Sequence, residues 1–250
     1  MFEVNKENVN RMFDIKIPIY SITIILALIS NLPIAYYLLK KYNYPKNEII
    51  GLLLYENVGI IGGAKIFSYI QNYPKYNGNF DFIKLGLSSY GAVFGIILFA
   101  ILFSFQFKKN LKELLYILMP TIPLMYAIGK IGCFFVGCCH GIEYNGIFSV
   151  TYKYSNSVSN NISLFPIQIV ESLLFFIIFI YIIIKHLKTQ FNQKIMGISI
   201  ILCGMTKFLL DFLRMSHQNV ILSFNQYISI FFVIVGLIVY YKSNKKESIK

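Results

Sequence analysis

Seven runs of about 20 mostly apolar residues divide this chain, at roughly 17–39, 49–71, 86–107, 114–135, 165–184, 195–213 and 224–241. Each is long enough to cross the hydrocarbon of a bilayer as a helix. No other feature constrains the fold so strongly, because lipid offers backbone polar groups no partner outside the segment itself. With 56% hydrophobic and only 14% charged residues among 250, the chain is also too apolar for an ordinary soluble domain. The sequence predicts an all-α integral membrane protein of seven transmembrane helices, a single polytopic domain over 1–250 without internal repeats.

The charges orient those helices. The segments after the first, third, fifth and seventh runs carry thirteen lysines, from Lys40 to Lys250, against seven lysines and arginines on the other side. The positive-inside rule then predicts an N-terminus outside and a C-terminus in the cytoplasm. The formal net charge of +12 reads as this topology signal together with attraction to anionic lipid, and not as a nucleic-acid surface. Residues 1–16 mix acids with bases and precede a long span without a small-residue cleavage site, so no removable signal peptide is expected.

Lys65, Lys130 and Lys207 fall inside or at the ends of the runs, as do Glu56, Glu171 and Asp211. A charge in hydrocarbon costs about 2.5–3.5 kcal/mol on insertion scales, so each is a functional candidate by default. The plainer alternative is that long lysines snorkel to the interface or pair for structural reasons. In the predicted topology, however, the three lysines lie in the outer halves of their spans, level with Tyr90 and Glu171, whereas independent snorkelling would scatter them to both faces. Lys207 and Asp211 are spaced to pair along one helix face, with Arg214 nearly a turn further on. Together they predict a cationic pocket open toward the outer leaflet, suited to an anionic head group such as a phosphate. Glycines crowd the same stretches: "GIIGGAK" before Lys65, "SSYGAVFG" around Tyr90, and Gly129, Gly132, Gly137 and Gly141 around Lys130. Glycines let helices approach closely or let backbone approach a ligand, and close packing is the favoured reading for Gly95 and Gly132.

The run "GKIGCFFVGCCHG", Gly129 to Gly141, resembles the signature of the prolipoprotein diacylglyceryl transferases. Further motifs follow the order of that family. "IPIYS" is similar to its early Tyr-Gly element and keeps Tyr20; "GGAKIF" resembles Gly-Ala-Arg-Leu, with Lys65 for arginine; "SSYGAVFG" falls on its His-Gly-Gly stretch. "FPIQIVE" keeps Pro166, Gln168 and Glu171, "GMTKFLLDFLR" matches the element that ends in Arg214, and "FNQYISIFFVIVG" keeps Gln226, Ser229 and Gly236. The resemblance covers residues 17–236 and implies transfer of a diacylglyceryl group from phosphatidylglycerol to the lipobox cysteine thiol of a preprolipoprotein, in the bacterial cytoplasmic membrane and toward its outer leaflet. It implies catalytic roles for Tyr90, Lys130 and Lys207, and substrate binding by Tyr20, Lys65, Gly91, Gly141, Gln168, Glu171, Asp211, Arg214 and Gln226. No cofactor and no metal are expected.

Besides lysines where arginines are expected at Lys65 and Lys207, the chain departs from that pattern in three further ways. The family's catalytic histidine falls on Tyr90. Its signature arginine falls on Lys130, which keeps the charge and loses the flat two-point grip on phosphate. Its Asn…Asn-Gly-Glu pattern falls on Cys133, Val136, Gly137 and Cys138. His140 is a possible substitute base or merely an interfacial histidine. Cys133, Cys138 and Cys139 read first as small packing residues, then as a disulfide, and least readily as metal ligands or catalysts, since adjacent cysteines chelate one zinc poorly; Cys203 reads as core. The stretch 136–164 reads as a polar extracytoplasmic loop. Two other readings stay open: a divergent paralogue with another acceptor, and a cysteine-based membrane redox or metal-handling protein.

Overall fold

The structure, a computed structural model, describes residues 2–5, 19–76, 80–82, 85–153, 162–217 and 220–247. The expectation of an uncleaved N-terminus, Ile17 and Pro18 of the first motif, and residues 154–161 of the polar loop lie outside the described residues. Among the described residues, seven helices or helix pairs are long and apolar enough to cross a membrane. They are α1 (Ile19–Lys41), α2 (Lys46–Gln71), α3 (Ser89–Phe107), α4 (Leu111–Leu118) with α5 (Thr121–Val136), α6 (Ile167–Lys188), α7 (Gln193–Asp211) and α8 (Phe224–Glu247). The chain is the seven-span, all-α membrane protein that its apolar runs predict.

Two features differ from the expectation. The run at 114–135 is two helices, because Pro120 has no N–H to donate and its ring opposes the preceding turn; Met119 closes α4 with a tighter bond from its N–H to the Tyr116 carbonyl, 3.2 Å. The polar loop also holds structure. β1 (Phe2–Asn5) pairs in parallel with β2 (Val150–Lys153), which pairs antiparallel with β3 (Ser163–Leu164). Val150, Tyr152 and Leu164 are buried there against Phe134 and Ile162. Strands of two to four residues are too short for alternation to stand out in the sequence.

The chain forms two compact units, one of Met1–Ser30 with Pro123–Lys250 and one of Asn31–Ile122. In the second, α2 and α3 meet through glycine. A Cβ on Gly95 would collide with the Gly59 carbonyl oxygen, and one on Gly63 with that of Gly91. Such contact is how helices associate in lipid, where apolar side chains gain little by leaving the solvent. Gly63→Ala is therefore expected to destabilise the protein by about 1–3 kcal/mol, as overpacking does. Gly62→Ala, with nothing within 4 Å of its new methyl, should be neutral or slightly stabilising. Thermal melts of the two variants in detergent check this. In the first unit α7 and α8 pack in the same manner, with a Cβ on Gly197 reaching within 2.9 Å of the Gly236 oxygen.

Candidate active site: a carboxylate under three cations

Glu171, one turn into α6 and fully buried, is the centre of the first unit's polar interior. Its carboxylate takes Lys130 Nζ of α5 at 2.8 Å, Lys207 Nζ of α7 at 3.1 Å, and Arg214 just beyond α7 at 2.5 and 2.8 Å. All three cations are buried. Three helices had to converge for this, and each supplies its charge from an otherwise apolar segment.

Tyr126 completes the group. Its hydroxyl donates to Glu171 at 3.0 Å and accepts from Lys207 and from Arg214, the latter at 3.3 Å. Lys130 and Lys207 also lie 5.2 and 4.7 Å from its ring centre, where the ring's negative face attracts cations. Sequence reasoning missed Tyr126. Its signal was present: four residues before Lys130, it shares that lysine's helix face.

Behind the cage, Asp211 fixes Arg214. The Arg214 Nε stands 3.6 Å from Asp211, while the other carboxylate oxygen accepts from the Ser223 hydroxyl. Lys207 pairs with Glu171 and not, among the described residues, with Asp211, because Asp211 at the end of α7 is turned to Arg214 and to Ser223 and Asn225 at the start of α8. Gln226 is a capping residue in this structure: its Oε1 accepts from the Ser223 N–H at 2.9 Å, and its own N–H donates back to the Ser223 hydroxyl at 3.2 Å. Gln168 holds the chain after α5, donating to the Cys138 carbonyl at 2.9 Å. Gly141 lies in a backbone bridge with Arg214, and a Cβ there would strike the Phe165 carbonyl. Gly132 does lie in close packing, against Thr23, while Tyr20 on α1 lies within electrostatic reach of Lys130.

Glu171 and Asp211 together bring two negative charges to three positive ones. By formal count, one cationic side chain is left over in a buried place. Arg214 carries its share firmly. Burial opposes its charge, but the Glu171 carboxylate together with Tyr126, Cys139 and Asp211 outweighs this and holds the guanidinium above its ordinary value.

Lys65, Tyr90 and Gly91 belong to the second unit. Lys65 donates to the Leu85 carbonyl at 2.7 Å and lies 5.6 Å from the centre of the Phe82 ring. Glu56, also buried, accepts from the Thr121 hydroxyl at 3.1 Å. Tyr90 is buried in the first turn of α3, which Ser88 caps.

The three cysteines near Lys130 come together. Cys133, Cys138 and Cys139 have sulfurs within 4.8 Å of one another, and all are free thiols. Hydrogen bonding with Cys133 and Cys139, with burial added, pushes the Cys138 thiol up. Hydrogen bonds from Cys133 and Cys138, with Lys130 nearby, hold Cys139 down. His140 sits in the same turn, its Nδ1 3.3 Å from the Gly137 carbonyl oxygen.

Fold and site together define a class: a polytopic helical membrane protein with a net-positive cage inside its bundle. Comparison with known proteins is more specific. Residues 8–242 match the prolipoprotein diacylglyceryl transferase family, and the chain belongs to it. It is similar to proteins named phosphatidylglycerol–prolipoprotein diacylglyceryl transferase from three bacteria. That of Clostridium tetani is 26% identical over 234 residues, 92% of this chain and 94% of the relative. That of Finegoldia magna is 30% identical over 247 residues, 96% of each. That of Campylobacter hominis is 29% identical over 260 residues, 94% of this chain and 90% of the relative.

Proposed function

We propose that this protein is a phosphatidylglycerol–prolipoprotein diacylglyceryl transferase, acting as one polytopic domain in a bacterial cytoplasmic membrane with its site toward the outer leaflet. The observation that carries the reading is the buried cage of Lys130, Lys207 and Arg214 around Glu171, with one positive charge in excess. Transfer to a thiol forms a sulfur–carbon bond at the glyceryl carbon and breaks the bond from that carbon to a phosphate oxygen. Glycerol phosphate leaves with the electron pair, and the thiol proton passes to a base. Charge grows on the leaving phosphate, where fixed cations in a water-poor site help most. Lys130 and Lys207 serve as these cations, with Arg214 held in place by Asp211. Tyr90 stands where the family pattern has its histidine and acts as the proton acceptor. Tyr20, Lys65, Gly91, Gly141 and Gln168 contribute to binding the donor lipid and the lipobox segment. The bias of thirteen lysines to one side supports an N-terminus outside and a cytoplasmic C-terminus, and with it an extracytoplasmic place for the loop at 136–164.

The test is to incubate purified protein with phosphatidylglycerol and a lipobox peptide and to look for the mass of the diacylglyceryl thioether. Wild type should form it. Lys130→Ala should lose about 10²–10³ in rate, the usual cost of one preorganised charge-stabilising donor. Lys130→Arg should keep the activity, because its fork restores two-point contact with phosphate. A folded wild-type protein that binds phosphatidylglycerol and yields no thioether would overturn the acceptor assignment.

A further inference from the structure

The cage leaves the cysteine cluster unexplained. α5 ends in a tight reversal: the Gly137 N–H donates to the Phe134 carbonyl and the Cys138 N–H to the Cys133 carbonyl, both at 3.2 Å, with Gly137 at φ 74°. This pair of bonds is the Schellman motif, whose longer loop joins the residues at its two ends. Here those residues are Cys133 and Cys138, so the motif itself folds one thiol back over the other. Cys139 follows at φ 53°, a left-handed conformation uncommon outside glycine and costing on the order of 1–3 kcal/mol. The strained turn brings in a third sulfur.

We propose that Cys133, Cys138 and Cys139 form a binding site for one thiophilic d10 cation, of the class of Zn²⁺ or Cu⁺. Thiolates are soft ligands that select such ions over Mg²⁺ or Ca²⁺. Three sulfurs around one zinc at about 2.3 Å stand about 3.8 Å apart. Sulfurs already within 4.8 Å reach that arrangement by side-chain rotation of about 1 Å. Cys139 is exposed and the other two half-buried, which gives an ion a way in. The backbone behind the ligands is held, since Gln168 grips the Cys138 carbonyl. Three thiolates on a divalent ion leave one negative charge, and Lys130 and Arg214 lie within electrostatic reach of Cys139 to offset it. Cys203, inside α7, takes no part. The site shares the charges of Lys130 and Arg214 with the cage but does not presuppose the transferase chemistry, so either reading can fail without the other.

Full-length protein, reduced, stripped with a chelator and held in detergent, is titrated with Cd²⁺ while the ultraviolet thiolate-to-cadmium absorption is followed. Saturation at one ion per chain is expected, and Zn²⁺ and Cu⁺ in competition then distinguish the two ions. Cys133→Ser, Cys138→Ser and Cys139→Ser should each weaken binding by at least about 10–100-fold, and Cys203→Ser should not. A wild-type measurement needs no variant to fold: bound cadmium should protect Cys133, Cys138 and Cys139 from alkylation and leave the labelling of Cys203 unchanged. Absence of the absorption band, a band indifferent to all three serines, or unreduced protein two hydrogens lighter through a disulfide among the three would each overturn the proposal.

Discussion

Glu171→Gln is expected to abolish transfer and to lower the melting transition of the protein by more than the glycine substitution in α2. Among the described residues the Glu171 carboxylate is the one acid that pairs with all of Lys130, Lys207 and Arg214. Glutamine keeps its shape and removes its charge. Three buried cations would then face one another with Asp211 as the only remaining acid among their described partners, and Asp211 reaches only Arg214. Breaking a buried ion cluster from one side costs about 3–5 kcal/mol, because the abandoned charges stay desolvated. Removing a cation as well should return part of that cost. Glu171→Gln with Lys130→Met is therefore expected to melt above Glu171→Gln alone and still to be inactive, a non-additivity that marks direct contact. Thermal melts and thioether mass measured on wild type, Glu171→Gln, Lys130→Met and the double variant check both halves. Wild-type melting of the single variant would mean that Glu171 is not the anchor described here.

That anchor was partly legible in the sequence. Charges inside apolar runs stand out because lipid penalises them, which is why Lys130, Lys207, Glu171 and Asp211 could be named from their positions alone, with Arg214 placed by its spacing just beyond the sixth run. Their pairing could not. Spacing along one helix suggested Lys207 with Asp211, but the partner across to α6 wins, since a fully buried carboxylate needs every cation within reach. Tyr126 escaped because a tyrosine among apolar residues carries no penalty that betrays it. Gln226 also carries a local signal: the pattern Ser-Phe-Asn-Gln from Ser223 to Gln226 is a capping box, a conventional helix start that the structure forms. The seven spans followed from length and hydropathy almost to their ends, whereas the break at Pro120 and the short strands depended on local backbone chemistry that a hydropathy average smooths away.

Tyr90→Phe is expected to lower the rate by about 10²–10⁴, the range associated with a positioned proton acceptor. The substitution removes one oxygen and leaves the ring, so packing at this buried position in the first turn of α3 should survive. A stability change would point to structure, and an unchanged melt with a lost rate points to chemistry. Tyr90→His makes the sharper comparison. In reference peptides a phenol gives up its proton at about pH 10 and imidazolium at about 6.5. A base works in its deprotonated form, and of the two free side chains imidazole holds that form at the lower pH. The histidine variant should reach its plateau at lower pH and be faster than wild type near neutrality. Rates of thioether formation across pH for the three proteins decide the matter. Equal rates for tyrosine and phenylalanine would show that the hydroxyl takes no part, and the acceptor of the thiol proton would then have to be sought at another residue, His140 among them.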